Sequence, residues 1–192
     1  GAGKSTQIDF ICEYLKSKGI QVVLTREPGG TKVGEKIREL LLSNSTGDMH
    51  ADTELMLMFA ARNEHIQNKI MPALEQGDWV LSDRFTDSSY AYQGGGRGLD
   101  INRISQLESW VMQDFTPDMT LLLDVPVEIG MSRVESRGKK DRIEMEKMDF
   151  FDRVRQAYIA RSKEFPDRIK LIDSSKTIEH TTEQIATVLD TL

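Results

Sequence analysis

Four short apolar runs, "QVVLTR" (21–26), "WVLSDR" (79–84), "MTLLLDV" (119–125) and "IKLIDS" (169–174), are bounded by polar or turn residues and separated by stretches with apolar residues at helical spacing. Runs of this kind are strands buried on both faces, and a chain that alternates them with helices builds a parallel sheet covered by helices on each side. The helical patterns span 52–75, 101–115, 127–136, 146–165 and about 178–192. A further one starts at the N-terminal glycines, carries apolar residues from Ile8 to Leu15 and ends at "SKGI", with Gly19 as its cap. Pro126, directly after "LLLDV", suits the first turn of the next helix. At 192 residues, with no internal repeat, low-complexity tract or long linker, the chain reads as one α/β domain over 1–192.

Composition removes several classes of function. Cys12 is the only cysteine, which excludes an internal disulfide framework or a cysteine metal cluster and suits a reducing compartment. No apolar run approaches the roughly 18 residues of a membrane span and no signal segment opens the chain, so a cytoplasmic protein without a membrane partner is expected. The net charge of -6 argues against general binding to a nucleic-acid backbone, so a site for a phosphorylated ligand must gather its cations locally. His50, His65 and His180 lack metal-ligand spacing and are expected in surface or satisfied roles.

The first six residues, "GAGKST", match the end of the phosphate-binding pattern G-x-x-x-x-G-K-[ST], whose first glycine would precede residue 1. In that pattern the backbone of a helix N-terminus, here Gly1, Ala2, Gly3, Lys4, Ser5 and Thr6, cradles phosphate oxygens. Lys4 would reach the β and γ phosphates and the Ser5 hydroxyl would meet Mg²⁺. A glycine terminus before an ordinary helix is the alternative reading of these six residues alone. A GTPase is disfavoured, because "NKIM" puts Met71 where a guanine-reading aspartate belongs. Asp83 closes an apolar strand, where an acid at the carboxyl end of a parallel sheet faces the ligand crevice and can hold a Mg²⁺ shell through water. The planar fork of Arg84, the next residue, suits phosphate. Without further context, an ordinary Asp–Arg surface pair explains these two equally well.

"TREPGGT" (25–31), "MFAAR" (58–62), "DRFTDSSYAYQGGGRG" (83–98) and "SRGKKDRIE" (136–144) follow in order. Together with "GAGKST" they resemble the bacterial thymidylate kinase family nearly end to end. The resemblance implies a three-layer α/β/α P-loop nucleoside monophosphate kinase fold with a five-stranded parallel sheet, an ATP site using Mg²⁺, a dTMP pocket and a mobile lid, here about 134–145. The first, central strand of that sheet would lie before Gly1, and its loss to cropping or poor order is the expectation. It further implies that Arg84 and Arg38 grip the dTMP phosphate, that Glu27 lies near the sugar with Tyr92, and that Ser89 and Gln93 read the pyrimidine edge. Arg62 would reach a base carbonyl. The usual stacking phenylalanine is replaced by Met58, with Phe59 one residue later, so either packs on thymine; read alone, both are core residues of a helix stripe. Arg97 in "GGGRG" carries no assignment beyond a solvated loop arginine.

"RVESRGKKDR" concentrates Arg133, Arg137, Lys139, Lys140 and Arg142 around Gly138 in an acidic protein. A solvated charged loop is the bland reading. In the family some members carry an arginine within the P-loop, at the position of Gly1, and others supply that charge from the lid. Gly1 therefore implies the lid type, with Arg137 as the transition-state cation and Arg142 second. The reading is a Mg-ATP-dependent dTMP kinase, with another monophosphate acceptor or a non-catalytic nucleotide-binding scaffold as alternatives. A homodimer through the apolar helix around Met56 is also implied.

Overall fold

The computed structural model describes residues 1–135 and 141–192. Helix α1 (Lys4–Ser17) leads to strand β1 (Val22–Arg26), and α2 (Lys32–Leu42) and α3 (Ala51–His65) follow. A π-helical turn (Ile66–Ile70) joins α3 to α4 (Met71–Glu75), which precedes β2 (Trp79–Asp83). Next come α5 (Thr86–Ser89), a second π-helical stretch (Tyr90–Gly96), α6 (Ile101–Met112), β3 (Thr120–Asp124) and α7 (Val127–Glu135). The chain closes with α8 (Met148–Glu164), β4 (Ile169–Asp173) and α9 (Ile178–Leu189).

All four apolar runs form strands within a residue or so of their sequence limits. They pair in parallel as β1 with β2, in register from Val22–Trp79 to Arg26–Asp83, and as β3 with β4, from Thr120–Ile169 to Asp124–Asp173. Among the described residues no strand is hydrogen-bonded to both β2 and β3, so the parallel order appears as two pairs. One core unites them: Leu81 of β2 and Leu121 of β3 pack on the same cluster, formed by Ile11 and Leu15 of α1, Ile172 of β4, and Ile185 and Leu189 of α9. Val80, next to Leu81, packs on Ile66, Ile70 and Met112. Successive strand residues point to opposite faces, so this divergence shows a helical layer on each side of the strands. The architecture is α/β/α.

The single helix expected over 52–75 is corrected to two helices around a π-helical turn. Pro72 supplies the reason: it has no N–H to donate and its ring crowds the carbonyl four residues back, so the ladder widens just upstream. Helix α6 stops at Met112, three residues early, where Gln113 takes a left-handed φ of 50°.

Candidate active site

Helix α1 opens on Gly3, whose φ of 77° is left-handed and favours glycine, and which puts no side chain of its own over the first turn. Its amino end therefore combines the helix dipole with backbone N–H groups, the usual makings of an anion cradle. Lys4 Nζ lies 3.9 Å from Asp83 Oδ1, so the residues closing "GAGK" and ending β2 meet in space. That separation is an ion pair but no hydrogen bond, and Asp83 Oδ1 is buried without a hydrogen-bond partner among the described residues. A cavity of about 420 Å³ is lined by Ser5, Asp9, Thr25, Arg26, Gly30 and Asp83. A buried carboxylate oxygen with no hydrogen bond among the described residues, beside a serine at a helix start, offers the hard oxygen donors Mg²⁺ takes when phosphates and water complete its shell. Ser5 and Asp83 thus fit the ion.

Arg84, directly after β2, is a non-glycine residue at φ 73°, a strained conformation costing roughly 1–3 kcal/mol that surrounding contacts must hold. Its Nη2 donates to the Tyr92 hydroxyl (3.0 Å) and its Nη1 to the Tyr158 hydroxyl (3.2 Å), with the guanidinium 4.8 Å from the centre of the Tyr92 ring. Burial works against the Arg84 charge, and Tyr92, Tyr158 and Asp83 more than offset it. Burial also pushes the Tyr158 phenol up to about 12, so it stays a neutral hydroxyl. Tyr158 lies on α8, 74 residues from Arg84, and nothing in its local sequence marks it as a site residue. Arg38 donates from Nη1 to the Pro28 carbonyl (2.8 Å), in the turn made by "EPGG". Burial, then the charge of Arg26, depresses its pKa, and Asp83 is among the acids opposing this. Asp83 thus acts electrostatically on both Arg38 and Arg84 and pairs with Lys4.

Glu27, Arg62 and His65 form a buried network. Glu27 is 4% exposed and Arg62 1%. Arg62 donates from Nε to Glu27 Oε2 (2.9 Å) and from Nη1 to Ser89 Oγ (3.1 Å), and its Nη2 forms an ion pair with the same Glu27 oxygen at 2.8 Å. His65 Nδ1 donates to Glu27 Oε1 (3.0 Å), and its Nε2 pairs with Thr25 Oγ1 (2.7 Å). His65 is therefore satisfied, as expected. Glu27 is turned to Arg62 and His65. The physical reason is that a buried guanidinium needs a carboxylate close by. Phe59 lies under Arg62, 4.6 Å from ring centre to guanidinium, in a core cluster with Leu55, Tyr90 and Ile104. Met58 is buried outside that cluster and shares a helix face with Arg62, four residues on.

Glu54, which the sequence reading missed, is 1% exposed and collects four donors. Its Oε1 accepts from Gln93 Nε2 (2.9 Å) and Arg97 Nε (3.2 Å), and its Oε2 from Arg97 Nη2 (3.1 Å) and Arg142 Nη2 (2.5 Å). Burial pushes its carboxyl up, and the bonds from Arg97, Gln93 and Arg142 outweigh this to hold it below the usual range. Arg97 also pairs with Glu146 and is 18% exposed, so the solvated loop arginine is corrected to an anchored one. Arg142 is likewise tied down: besides Glu54 it donates from Nε to the Leu41 carbonyl (2.9 Å). The cause in both cases is a buried acid that needs counter-charge. Arg137, Lys139 and Lys140 lie outside the described residues. Arg133, at the end of α7, donates to the carbonyls of Ser174 (3.1 Å) and Gly1 (3.4 Å).

A glycine-capped helix presenting lysine and serine, an acid at the carboxyl end of a parallel strand and flanking arginines define a P-loop phosphotransferase of the nucleoside monophosphate kinase fold. The thymidylate kinase family profile matches residues 1–185. A thymidylate kinase of Ruthia magnifica subsp. Calyptogena magnifica is 72% identical over 192 residues, covering 100% of this chain and 94% of that relative. One of Pseudomonas fluorescens is 52% identical over the same length, covering 91% of the relative. A crystal structure of thymidylate kinase from Ehrlichia chaffeensis superposes with a TM-score of 0.80 at 35% identity, over 99% of this chain and 93% of the other. The chain belongs to the thymidylate kinase family.

Proposed function

We propose that the chain transfers the γ-phosphoryl group of ATP to dTMP, giving dTDP and ADP, within a single domain. The bond from the γ phosphorus to the β–γ bridging oxygen breaks, and one forms to a phosphate oxygen of dTMP. The observation that carries this reading is Asp83 at the carboxyl end of β2, directly before Arg84, paired with Lys4 at 3.9 Å and with its Oδ1 buried without a hydrogen bond among the described residues. Little covalent chemistry is asked of the protein, so its contribution is positioning and neutralisation of charge. The turn from Gly1 to Thr6 cradles the ATP phosphates and Lys4 bridges to the transferred group. Ser5 and Asp83 would hold Mg²⁺, which when bound neutralises charge on the phosphate oxygens. Arg84, aligned by Tyr92 and Tyr158, and Arg38, braced on Pro28, hold the acceptor phosphate.

Arg62, Ser89 and Gln93 read the thymine edge, Met58 is the apolar surface under the base, and Tyr92 lies toward the sugar. The core position of Phe59 supports that choice of Met58. Arg137 of the lid segment, about 134–145, is assigned the transition-state cation because Gly1 stands where other members carry arginine. A homodimer and a cytoplasmic location belong to the same proposal. Supporting them are Met56 of α3 (56% exposed) and Trp110 of α6 (78% exposed), and the lack, among the described residues, of any helix long and apolar enough to cross a membrane. A coupled assay with ATP and dTMP, beside dUMP, dCMP, dGMP and AMP, tests the reaction: dTMP is the preferred acceptor. No turnover of dTMP by the full-length enzyme would overturn it, and preference for another monophosphate would reassign the acceptor.

A further inference from the structure

Glu54, Met58 and Arg62 are spaced four apart along α3, so all three lie on one helix face, and all three are buried. Two cross-links run from this face to the segment after β2: Arg62 to Ser89 at one end and Glu54 to Gln93 at the other. At the Arg62 end the protein presents N–H donors. At the other end Gln93 is buried, its Nε2 donates to Glu54, and its Oε1 has no hydrogen-bond partner among the described residues.

We propose that Glu54 is a positioning residue for base selection: by accepting the Nε2–H of Gln93 it fixes that amide with Oε1 as the open acceptor. The site then takes a pyrimidine whose N3 carries hydrogen, thymine or uracil, over cytosine, whose N3 is itself an acceptor. This rests on the dTMP kinase reading above. An amide can turn over and exchange its donor and acceptor ends, so a glutamine alone does not distinguish the two edges. An ionised carboxylate removes that freedom, because it can only accept. Glu54 is kept ionised by Arg97 and Arg142, and with Gln93 these fill the four acceptor sites of a carboxylate. Turning Gln93 over would set its oxygen against a carboxylate oxygen and leave a buried charge-assisted hydrogen bond unmade. Arg142 flanks the basic segment, so the residues that hold Glu54 ionised include one from the lid region.

The test compares kcat/KM for dTMP and dCMP in the full-length enzyme and in Glu54→Gln, whose neutral amide can face Gln93 with either end. The dTMP:dCMP ratio is expected to fall by roughly tenfold or more, the scale of one mispaired buried hydrogen bond, chiefly through KM. Gln93→Leu, which leaves Arg97 and Arg142 paired with Glu54, should reduce the ratio similarly. A merely structural Glu54 would lower both substrates together and leave the ratio within about twofold, and that result overturns the inference. Should Glu54→Gln not fold, Glu54→Asp keeps the charge for the arginines but withdraws it from Gln93, with the same expected direction. Were dTMP not turned over at all, the proposed reaction would fall, and calorimetric affinities for dTMP and dCMP in these variants would still decide the role of Glu54.

Discussion

Replacing Glu27 by glutamine keeps the shape of a side chain that is 4% exposed and removes the charge on which two hydrogen bonds and a 2.8 Å ion pair converge. One of those bonds and the ion pair come from Arg62, itself 1% exposed, so the variant leaves a guanidinium with no carboxylate partner in a dry setting. Breaking a buried pair on one side costs about 3–5 kcal/mol, far above the 0–1 kcal/mol typical of an exposed pair. For a protein of this size each kcal/mol lowers Tm by roughly 2–4 °C, so a drop of about 6–20 °C is expected. Thermal unfolding followed by circular dichroism, with urea unfolding to check that the m-value is unchanged, measures it. Because Glu27 also aims Arg62, KM for dTMP should rise while ATP binding holds. A Tm within about 2 °C of wild type would refute the claim that Glu27 is the counter-charge of Arg62. A lowered Tm with unchanged KM for dTMP would refute the link from that pair to base binding.

Tyr158→Phe deletes the hydroxyl that bonds Arg84 at 3.2 Å and Ser88 at 2.6 Å, so KM for dTMP should rise several-fold, on the order of 1 kcal/mol, with little change in KM for ATP. Steady-state kinetics with each substrate varied separates the two. Arg137→Ala should lower kcat by about 10²–10³-fold while ATP affinity, read by a fluorescent analogue, stays within about twofold. Acid sensitivity follows from Asp87 and Glu54. Burial pushes each carboxyl up, but bonds from Arg168 and Arg161 to Asp87, and from Arg97, Gln93 and Arg142 to Glu54, hold both below their usual 3.8 and 4.5. The unfolded chain then binds more protons, so stability from these groups is full above about pH 4.5 and drains away as pH falls through the lower folded values. Urea unfolding between pH 6 and 3 should show that decline, and Glu54→Gln should flatten part of it.

Chain order and local chemistry determined much of this protein by themselves. The apolar runs located all four strands, because a strand buried on both faces must be apolar along its length. "GAGKST" marked a helix starting at the glycine loop, and α1 does begin at Lys4, directly after Gly3. The ordered motifs identified the family. Residues whose role depends on a distant partner were not legible. Glu54 is 43 residues from Arg97 and 88 from Arg142, and no local pattern announces that a helix-face glutamate will be buried and surrounded by donors. Phe59 and Met58 read alike as apolar residues of one helix stripe, and only the tertiary fold packs Phe59 with Leu55, Tyr90 and Ile104 while burying Met58 outside that cluster. Glu27, Arg97 and Arg142 took their places for one reason: a charge taken out of water must find its opposite within a few ångströms, and which opposite is near is settled by the tertiary fold.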